Sequence, residues 1–197
     1  MAIIVEHTKR KREILEQALD IFESEGYENV TFQKIADKCR LTRTTLYLYF
    51  NDKHEIFVGC VRELTVKLEK HIHNYLDKDD TGAKERLCAV TQIILDDCIE
   101  NRKLFAVLLD YIILLHKKGK STSDFIRRRM VRLKHIFSAL IIEGVKSGEF
   151  KQVDIKAAGE ILYALTQAAM FRLAVMDMQQ EDEMRKTFLA TVDGLVK

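Results

Sequence analysis

No proline interrupts this 197-residue chain, and glycine occurs only eight times. Proline and glycine are the residues that most disfavour helix interiors, and no extended polar-apolar alternation takes their place. The chain is therefore expected to be helical almost throughout, with no substantial sheet. C-x-x-C pairs are missing too: Cys39, Cys60, Cys88 and Cys98 are widely spaced inside apolar helical patterns. Buried free thiols of a reducing, cytoplasmic setting fit that spacing better than disulfides or a zinc site.

Enzymatic signatures are equally scarce. None of the six histidines carries a glutamate three residues before it, so the di-metal motif of helical bundles is absent from the sequence, and His71 and His73 diverge on a helix. There is no G-x-S-x-G, phosphate-binding loop or dinucleotide fingerprint. The expectation is a protein that is not an enzyme and needs neither cofactor nor metal. Long apolar runs are lacking as well. The charge-free stretch ILYALTQAAMF, 161 to 171, falls short of the roughly 20 residues a membrane span needs. The N-terminus MAIIVEHTKRKRE is apolar first and charged second, the reverse of a secretory signal.

What the chain does contain is 47% hydrophobic residues, enough to bury a core, and a net charge of +2 that leaves local clusters to decide its partners. Gly26, Gly82, Gly119 and Gly148 end amphipathic runs and mark boundaries, whereas Gly59, Gly144, Gly159 and Gly194 fall inside helical patterns. Of these, Gly159 is singled out for close helix approach. A first helix is predicted from about Thr8 to Glu25, with Ile14, Leu15, Ala18, Leu19 and Phe22 on one stripe. Two short helices follow at about 32 to 39 and 43 to 49, with Thr31 and Thr42 as N-caps and only RLT between them. That is a helix-turn-helix outline. Asp52 and Glu55 form a capping-box-like start to a long connecting helix. Further helices are predicted at roughly 83 to 100, 102 to 117, 123 to 146, 155 to 177 and 182 to 196. The domain boundaries read as 1 to 52 and 53 to 197.

Within TFQKIADKCRLTRTTLYLYF, the residues Phe32, Ile35, Ala36, Cys39, Leu41, Leu46 and Phe50 recur at core spacing. Arg43, Thr44, Thr45, Tyr47, Leu48 and Tyr49 are left to face outward, with one positive charge, several hydroxyls and no carboxylate. KRKR, 9 to 12, adds local basic charge, and is either a phosphate-facing cluster or a solvated, frayed terminus.

These residues resemble the tetracycline-repressor-like (TetR) family of bacterial regulators. Its recognition region reads as a small residue, Gly, an aliphatic residue and Ser or Thr, then Leu-Tyr-x-His/Tyr-Phe-x-x-Lys. The matching residues are Cys39, Arg40, Leu41, Thr42, Leu46, Tyr47, Tyr49, Phe50 and Lys53, and the upstream GYENVTFQKIADKC also fits. Arg40 stands where the turn glycine is usual, which costs on the order of 1 kcal/mol if the position is left-handed. The resemblance implies an all-α fold: a three-helix DNA-binding domain joined by a long helix to a helical-bundle regulatory and dimerisation domain. It implies that Thr31, Thr42, Tyr47, Tyr49 and Lys53 hold phosphates and that Arg43, Thr44, Thr45 and Leu48 face bases. The Tyr47 ring is alternatively packing.

The C-terminal half is less specific. By the resemblance, the last two long helices form a dimer interface, with interior packing as the rival, and an effector cavity lies among the middle helices. Phe105, Leu109, Tyr111, Phe125, Met130, Phe137, Tyr163 and Met170 are its candidate lining, and Asp110 and Gln167 its candidate polar groups; ordinary core or surface roles are the alternative for each. The basic stretch 127 to 135 reads as a solvated helix face. The functional expectation is a cytoplasmic, homodimeric, ligand-responsive repressor of a palindromic double-stranded DNA operator, with an unknown small-molecule effector. The rival is a helical co-regulator that keeps this fold but works through protein contacts.

Overall fold

The computed structural model describes residues 2–77, 81–119, 124–176 and 181–197, with side chains described from residue 6 onward except at 124–127, 129 and 130. Its helices are α1 (Ala2–Asn29), α2 (Phe32–Lys38), α3 (Arg43–Tyr47), α4 (Lys53–Leu76), α5 (Ala83–Glu100), α6 (Arg102–Lys117), α7 (Asp124–Ser147), α8 (Ile155–Val175) and α9 (Glu181–Asp193). Among the described residues there is no strand, only an isolated antiparallel bridge between Phe150 and Val196. The all-α expectation holds.

α1 differs from the predicted helix at its start. It begins at Ala2, ahead of the predicted Thr8, because no glycine or proline in that stretch stops the helix; within it Arg10 pairs with Glu13 at 2.6 Å one turn on. Its regular part breaks at Gly26, where φ is 76°, a value that glycine alone adopts without steric cost.

The chain folds into two compact units. The first comprises Met1–Val66 and Val107–Lys120, the second Lys67–Ala106 and Ser121–Lys197. α4 and α6 each contribute to both, so compactness does not follow the chain break placed at residue 52 from the sequence.

The core of the first unit is the α1 stripe, with Ile14, Leu15, Ala18 and Phe22 buried, together with Ile56, Phe57, Cys60 and Val61 of α4. Phe22 and Phe57 meet edge to face at 5.0 Å, and each buried ring of this size contributes about 1.5–3 kcal/mol through area alone.

In the second unit α5 is central and packs against α7, α8 and α9. Leu87, Val90, Ile94 and Leu95 of α5 are buried, as are Phe137, Leu140 and Ile141 of α7, Leu162 of α8 and Phe188 of α9. Among the described residues the two buried threonines bond to their own helices, Thr91 Oγ1 to Cys88 O at 2.7 Å and Thr166 Oγ1 to Leu162 O at 3.1 Å. Neither therefore leaves an unpaired donor in an apolar setting.

The end of α7 is locked twice. Gly148, at φ 84°, turns the chain so that Phe150 N donates to Gly144 O at 2.9 Å. A Cβ on Gly144 would lie 2.2 Å from the buried Phe150 ring, a far closer approach than the 3.0 Å from Gly159 to Ser138 Oγ. The closest helical glycine approach is thus at Gly144 rather than at Gly159. We expect Gly144→Ala to destabilise the protein by about 1–3 kcal/mol, seen as a lower urea midpoint, because a rigid ring and not a flexible tip must move.

Glu149 then reaches the start of α5, whose N-cap Gly82 has no side chain to offer. Its two carboxylate oxygens accept from Ala83 N at 2.9 Å and Lys84 N at 3.1 Å, with Ser147 Oγ donating at 3.1 Å. These backbone bonds hold the carboxyl below the ordinary glutamate value of 4.5. A lowered folded value means that the stabilisation is complete above the ordinary value and is lost as pH falls through it to the folded value. Glu149→Gln should therefore lower the urea midpoint at pH 7, by about 1 kcal/mol of capping free energy, and the gap to the parent should narrow as pH falls below the ordinary value of 4.5.

Candidate nucleic-acid interface

Two short helices carry the outward surface of the first unit. Thr31 caps α2 by accepting from Lys34 N at 3.2 Å, and Thr42 caps α3 by accepting from Thr45 N at 3.1 Å. Thr42 Oγ1 also pairs with Thr45 Oγ1 at 2.8 Å, so both predicted caps form. Of the predicted core set, Ile35, Ala36, Cys39, Leu46 and Phe50 are buried, while Phe32 and Leu41 are only half-buried.

The turn between the helices has Arg40 in the left-handed region, with φ 54°. Arg40 N donates to Asp37 O at 3.0 Å and Leu41 N to Ala36 O at 2.9 Å. This pair of bonds is a Schellman closure of α2, the motif in which glycine is the usual left-handed residue. The geometry is the ordinary one, and the side chain rather than the turn is what departs. Arg40 is exposed, so nothing else constrains it. Arg40→Gly should raise the urea midpoint by about 1 kcal/mol of stability; an unchanged or lower midpoint would count against strain at this residue.

From this frame Arg43, Thr44, Tyr47 and Leu48 are exposed, Leu48 to 72%, and Thr45 and Tyr49 are half-exposed. The Tyr47 ring stacks on Phe32 at 4.5 Å while remaining 47% exposed. Its hydroxyl accepts from Arg43 Nη2 at 3.1 Å, and the guanidinium lies 5.7 Å from the ring centroid. Packing and exposure therefore coexist at Tyr47: one face rests on Phe32 and the hydroxyl end is free to reach outward. Tyr49 stacks on His7 of α1 at 4.8 Å, and Lys11 of α1 lies 5.0 Å over the Phe50 ring. No periodicity links α1 to residues some forty positions later, so neither contact is legible from spacing.

Charge is distributed unevenly around these groups. In KRKR, Arg10 pairs with Glu13 and Arg12 approaches Glu63 at 3.8 Å, leaving Lys9 exposed on the helix surface. A cleft of about 380 Å³ opens beside α3, its walls including Glu28, Thr31, Phe32, Arg43, Tyr47, Asp52 and Lys53. Asp52 begins α4 by accepting from Glu55 N at 2.7 Å. Glu55 returns the bond to Asn51 N and Nδ2, each at 2.8 Å, one residue earlier than a standard capping box would place it.

The Lys53 ammonium bonds within its own chain. Its ammonium donates to Tyr27 O at 2.7 Å, Val30 O at 2.6 Å and Glu28 O at 3.1 Å, and sits 4.6 Å over the Tyr27 ring. Partial burial pushes its pKa down from the ordinary lysine value. Three donors are all that an ammonium has, and carbonyls of this chain occupy them.

The comparison with known proteins decides the family. Residues 14–60 match the model for bacterial regulatory proteins of the tetR family, and residues 84–192, more than half of the chain, match that for the tetracyclin repressor-like C-terminal domain. The chain belongs to the TetR family. It is a DNA-binding transcriptional regulator of all-α fold, with an N-terminal helix-turn-helix domain and a C-terminal helical domain.

Among TetR-like relatives, the fatty acid metabolism regulator protein of Bacillus subtilis is 23% identical over 164 residues, covering 79% of this chain and 80% of its own length. The nucleoid occlusion factor SlmA of Vibrio atlanticus is 23% identical over 176 residues, 88% of each chain. The crystal structure of a TetR transcription regulator from Haloarcula marismortui superposes with a TM-score of 0.86 at 21% identity, covering 96% of this chain and all of that one. That likeness is one of fold.

The effector candidates are divided between the two units of this TetR protein. Tyr111, with Leu109 and Asp110, belongs to the first unit, where the Tyr111 ring meets Tyr27 at 4.7 Å and Phe57 at 5.0 Å and its hydroxyl shares a 2.5 Å hydrogen bond with His54 Nδ1. Asp110 is exposed and Leu109 half-buried. Phe105, Phe137 and Tyr163 are buried in the second unit, where Met170 is half-buried and Gln167 exposed. The side chains of Phe125 and Met130 lie outside the described residues. Asp97 of α5 was not anticipated: burial, and next the charge of Glu100, pushes its pKa up to about 7, while Asn101 Nδ2 donates to it at 3.3 Å. A carboxyl inside a sequence such as ILDDCIE reads as a surface residue, and only the packing of α5 reveals otherwise.

Among the described residues no cluster of His, Cys, Asp or Glu could hold a metal, and no helix is long and apolar enough to cross a membrane.

Proposed function

We propose that this TetR protein is a cytoplasmic, homodimeric, ligand-responsive repressor of a near-palindromic operator. The observation that carries the reading is the outward surface of α3, a cap and a turn holding Arg43, Thr44, Tyr47 and Leu48 in solvent on a buried base of Leu46 and Phe50. Thr31, Thr42, Tyr47 and Tyr49 supply hydroxyls for phosphates, while Arg43, Thr44, Thr45 and Leu48 face base edges, Arg43 as a donor to guanine and Leu48 as an apolar contact to a thymine methyl. Two such helices, one from each protomer, enter successive major grooves about 34–36 Å apart.

Family members dimerise, and the outward face of α8 supports the expected seam. Ile161, Phe171 and Val175 are each more than half exposed, with exposed Ala164 and Ala168 between them allowing close helix approach. Leu189 of α9, 38% exposed, extends the apolar surface.

The effector site is assigned to the helical bundle around Phe105, Phe137, Tyr163 and Met170, whose side chains suit an apolar molecule. A fatty acid metabolism regulator among the relatives makes long-chain acyl compounds the first probes to try. An effector releases DNA only in so far as it binds one separation of the recognition helices more tightly than another.

The test is a binding titration on genomic fragments selected with the purified protein. Palindrome-selective affinity should fall steeply with salt, and Arg43→Ala should weaken it about 10-fold or more, equivalent to 1–3 kcal/mol for a lost bidentate base contact. Affinity indifferent to salt and to palindromy would sink the proposal. The rival is a role through protein contacts in the same fold. Regulation in cells that survives both Arg43→Ala and Tyr49→Ala would favour it.

A further inference from the structure

We infer that Phe32 is a positioning residue that sets base specificity: through the Tyr47 ring it fixes where the Arg43 guanidinium stands. This rests on the proposed reading in which Arg43 donates to a guanine. Three side chains from two helices form one line of contact. Phe32 opens α2 directly after the cap Thr31, and Tyr47 ends α3, so the stack of their rings, 4.5 Å apart and 30° from parallel, joins the two helices of the motif. Tyr47 then holds Arg43, one turn earlier on α3, in two ways. Its hydroxyl accepts from Nη2 at 3.1 Å, and the guanidinium lies 5.7 Å from the ring centroid.

Arg43 is the group that needs holding, since it is exposed at the first position of α3. A long side chain in solvent samples many rotamers, and ordering it on a base edge costs entropy that prior placement reduces. The cleft supplies a competitor as well. Glu28 and Asp52 share its walls with Arg43, and a guanidinium left free is attracted to their carboxylates. The hold leaves enough donors for a base, because one of five N–H groups is engaged and a bidentate contact to guanine O6 and N7 takes two. Nor does it use up Tyr47, whose hydroxyl accepts from Arg43 and keeps its own proton for a phosphate. Phe32 is half-buried, so the face on which Tyr47 rests is itself backed by protein. Without a flat face there, the ring and the guanidinium it carries lose their fixed place.

The experiment uses the full-length protein and the selected operator, with each base pair of a half-site changed in turn. Arg43→Ala identifies the base pair that Arg43 reads, as the one at which discrimination collapses. Phe32→Leu keeps an apolar side chain and loses the flat ring. It should reduce discrimination at that same base pair about 5-fold, with discrimination at the other pairs and the salt slope unchanged, since no charge is removed. Phe32→Tyr, which retains a ring to stack on, should discriminate like the parent. Tyr47→Phe keeps the stack without the hydroxyl and should lose discrimination at the same pair. In the Arg43→Ala background Phe32→Leu should have no further effect there, because the two act along one line of contacts.

The stack has a readout without DNA: the Tyr47 ring protons, shifted upfield by the Phe32 ring, should move toward free-tyrosine values in Phe32→Leu and stay in place in Phe32→Tyr. Unmoved Tyr47 resonances in Phe32→Leu would overturn the inference. So would equal losses at every base pair, unchanged discrimination, or a loss at the same pair that persists in the Arg43→Ala background. Selective binding by the parent that Arg43→Ala leaves intact would overturn it too, by removing the contact that Phe32 serves. A parent protein with no selective binding would overturn the functional reading along with it, which separates that failure from the others.

Discussion

A helix of five residues cannot hold itself together in water, and α3 has only Arg43 to Tyr47. Isolated helices shorter than about 12–15 residues are marginal, because nucleation fixes several dihedrals for one hydrogen bond. α3 exists because Leu46 and Phe50 are buried, because Thr42 closes its first turn, and because the Schellman bonds of α2 deliver the chain to it at a fixed angle. Every outward property of the recognition surface depends on this inward anchoring. The exposed residues of α3 take their positions from the buried ones between them.

The helix-turn-helix was legible in the sequence because its constraints are local. Caps act over three residues, core spacing over three or four, and Leu46 and Phe50 were placed correctly on that basis alone. What escaped was long-range. The stack of His7 on Tyr49, the reach of Lys53 to the end of α1 and the restoration of α5 by Glu149 link positions tens of residues apart, and no periodicity connects them. Lys53 shows the difference most clearly. The resemblance implied a phosphate contact, and no spacing signals that the ammonium bonds the carbonyls of Tyr27, Glu28 and Val30. The extra length of α1 was missed for another reason: the apolar residues before Thr8 fall outside the amphipathic stripe by which the helix was recognised.

In the second unit, helix existence was legible and helix roles were not. The predicted ranges of α5 to α8 fall within two residues of those found. Yet Phe137, Tyr163 and Met170 are the same kinds of residue whether they line a cavity, fill a core or face a partner. Tyr111 illustrates the limit: grouped by sequence with the middle helices, it packs against Tyr27 and Phe57 in the first unit. Sequence spacing places a residue on a face of its helix but does not say what that face meets.

The uncovered face of α8 has a consequence for the cell as well as for the fold. Ile161, Phe171 and Val175 present apolar area to water in a single chain. In a family whose members dimerise, the proposed covering of that area by a second copy would tie the free energy of the folded state to how many copies are present. A newly made chain at low abundance is then the form most open to proteases and chaperones. On the proposed seam, mass action would bear on the level of the regulator before any operator is occupied.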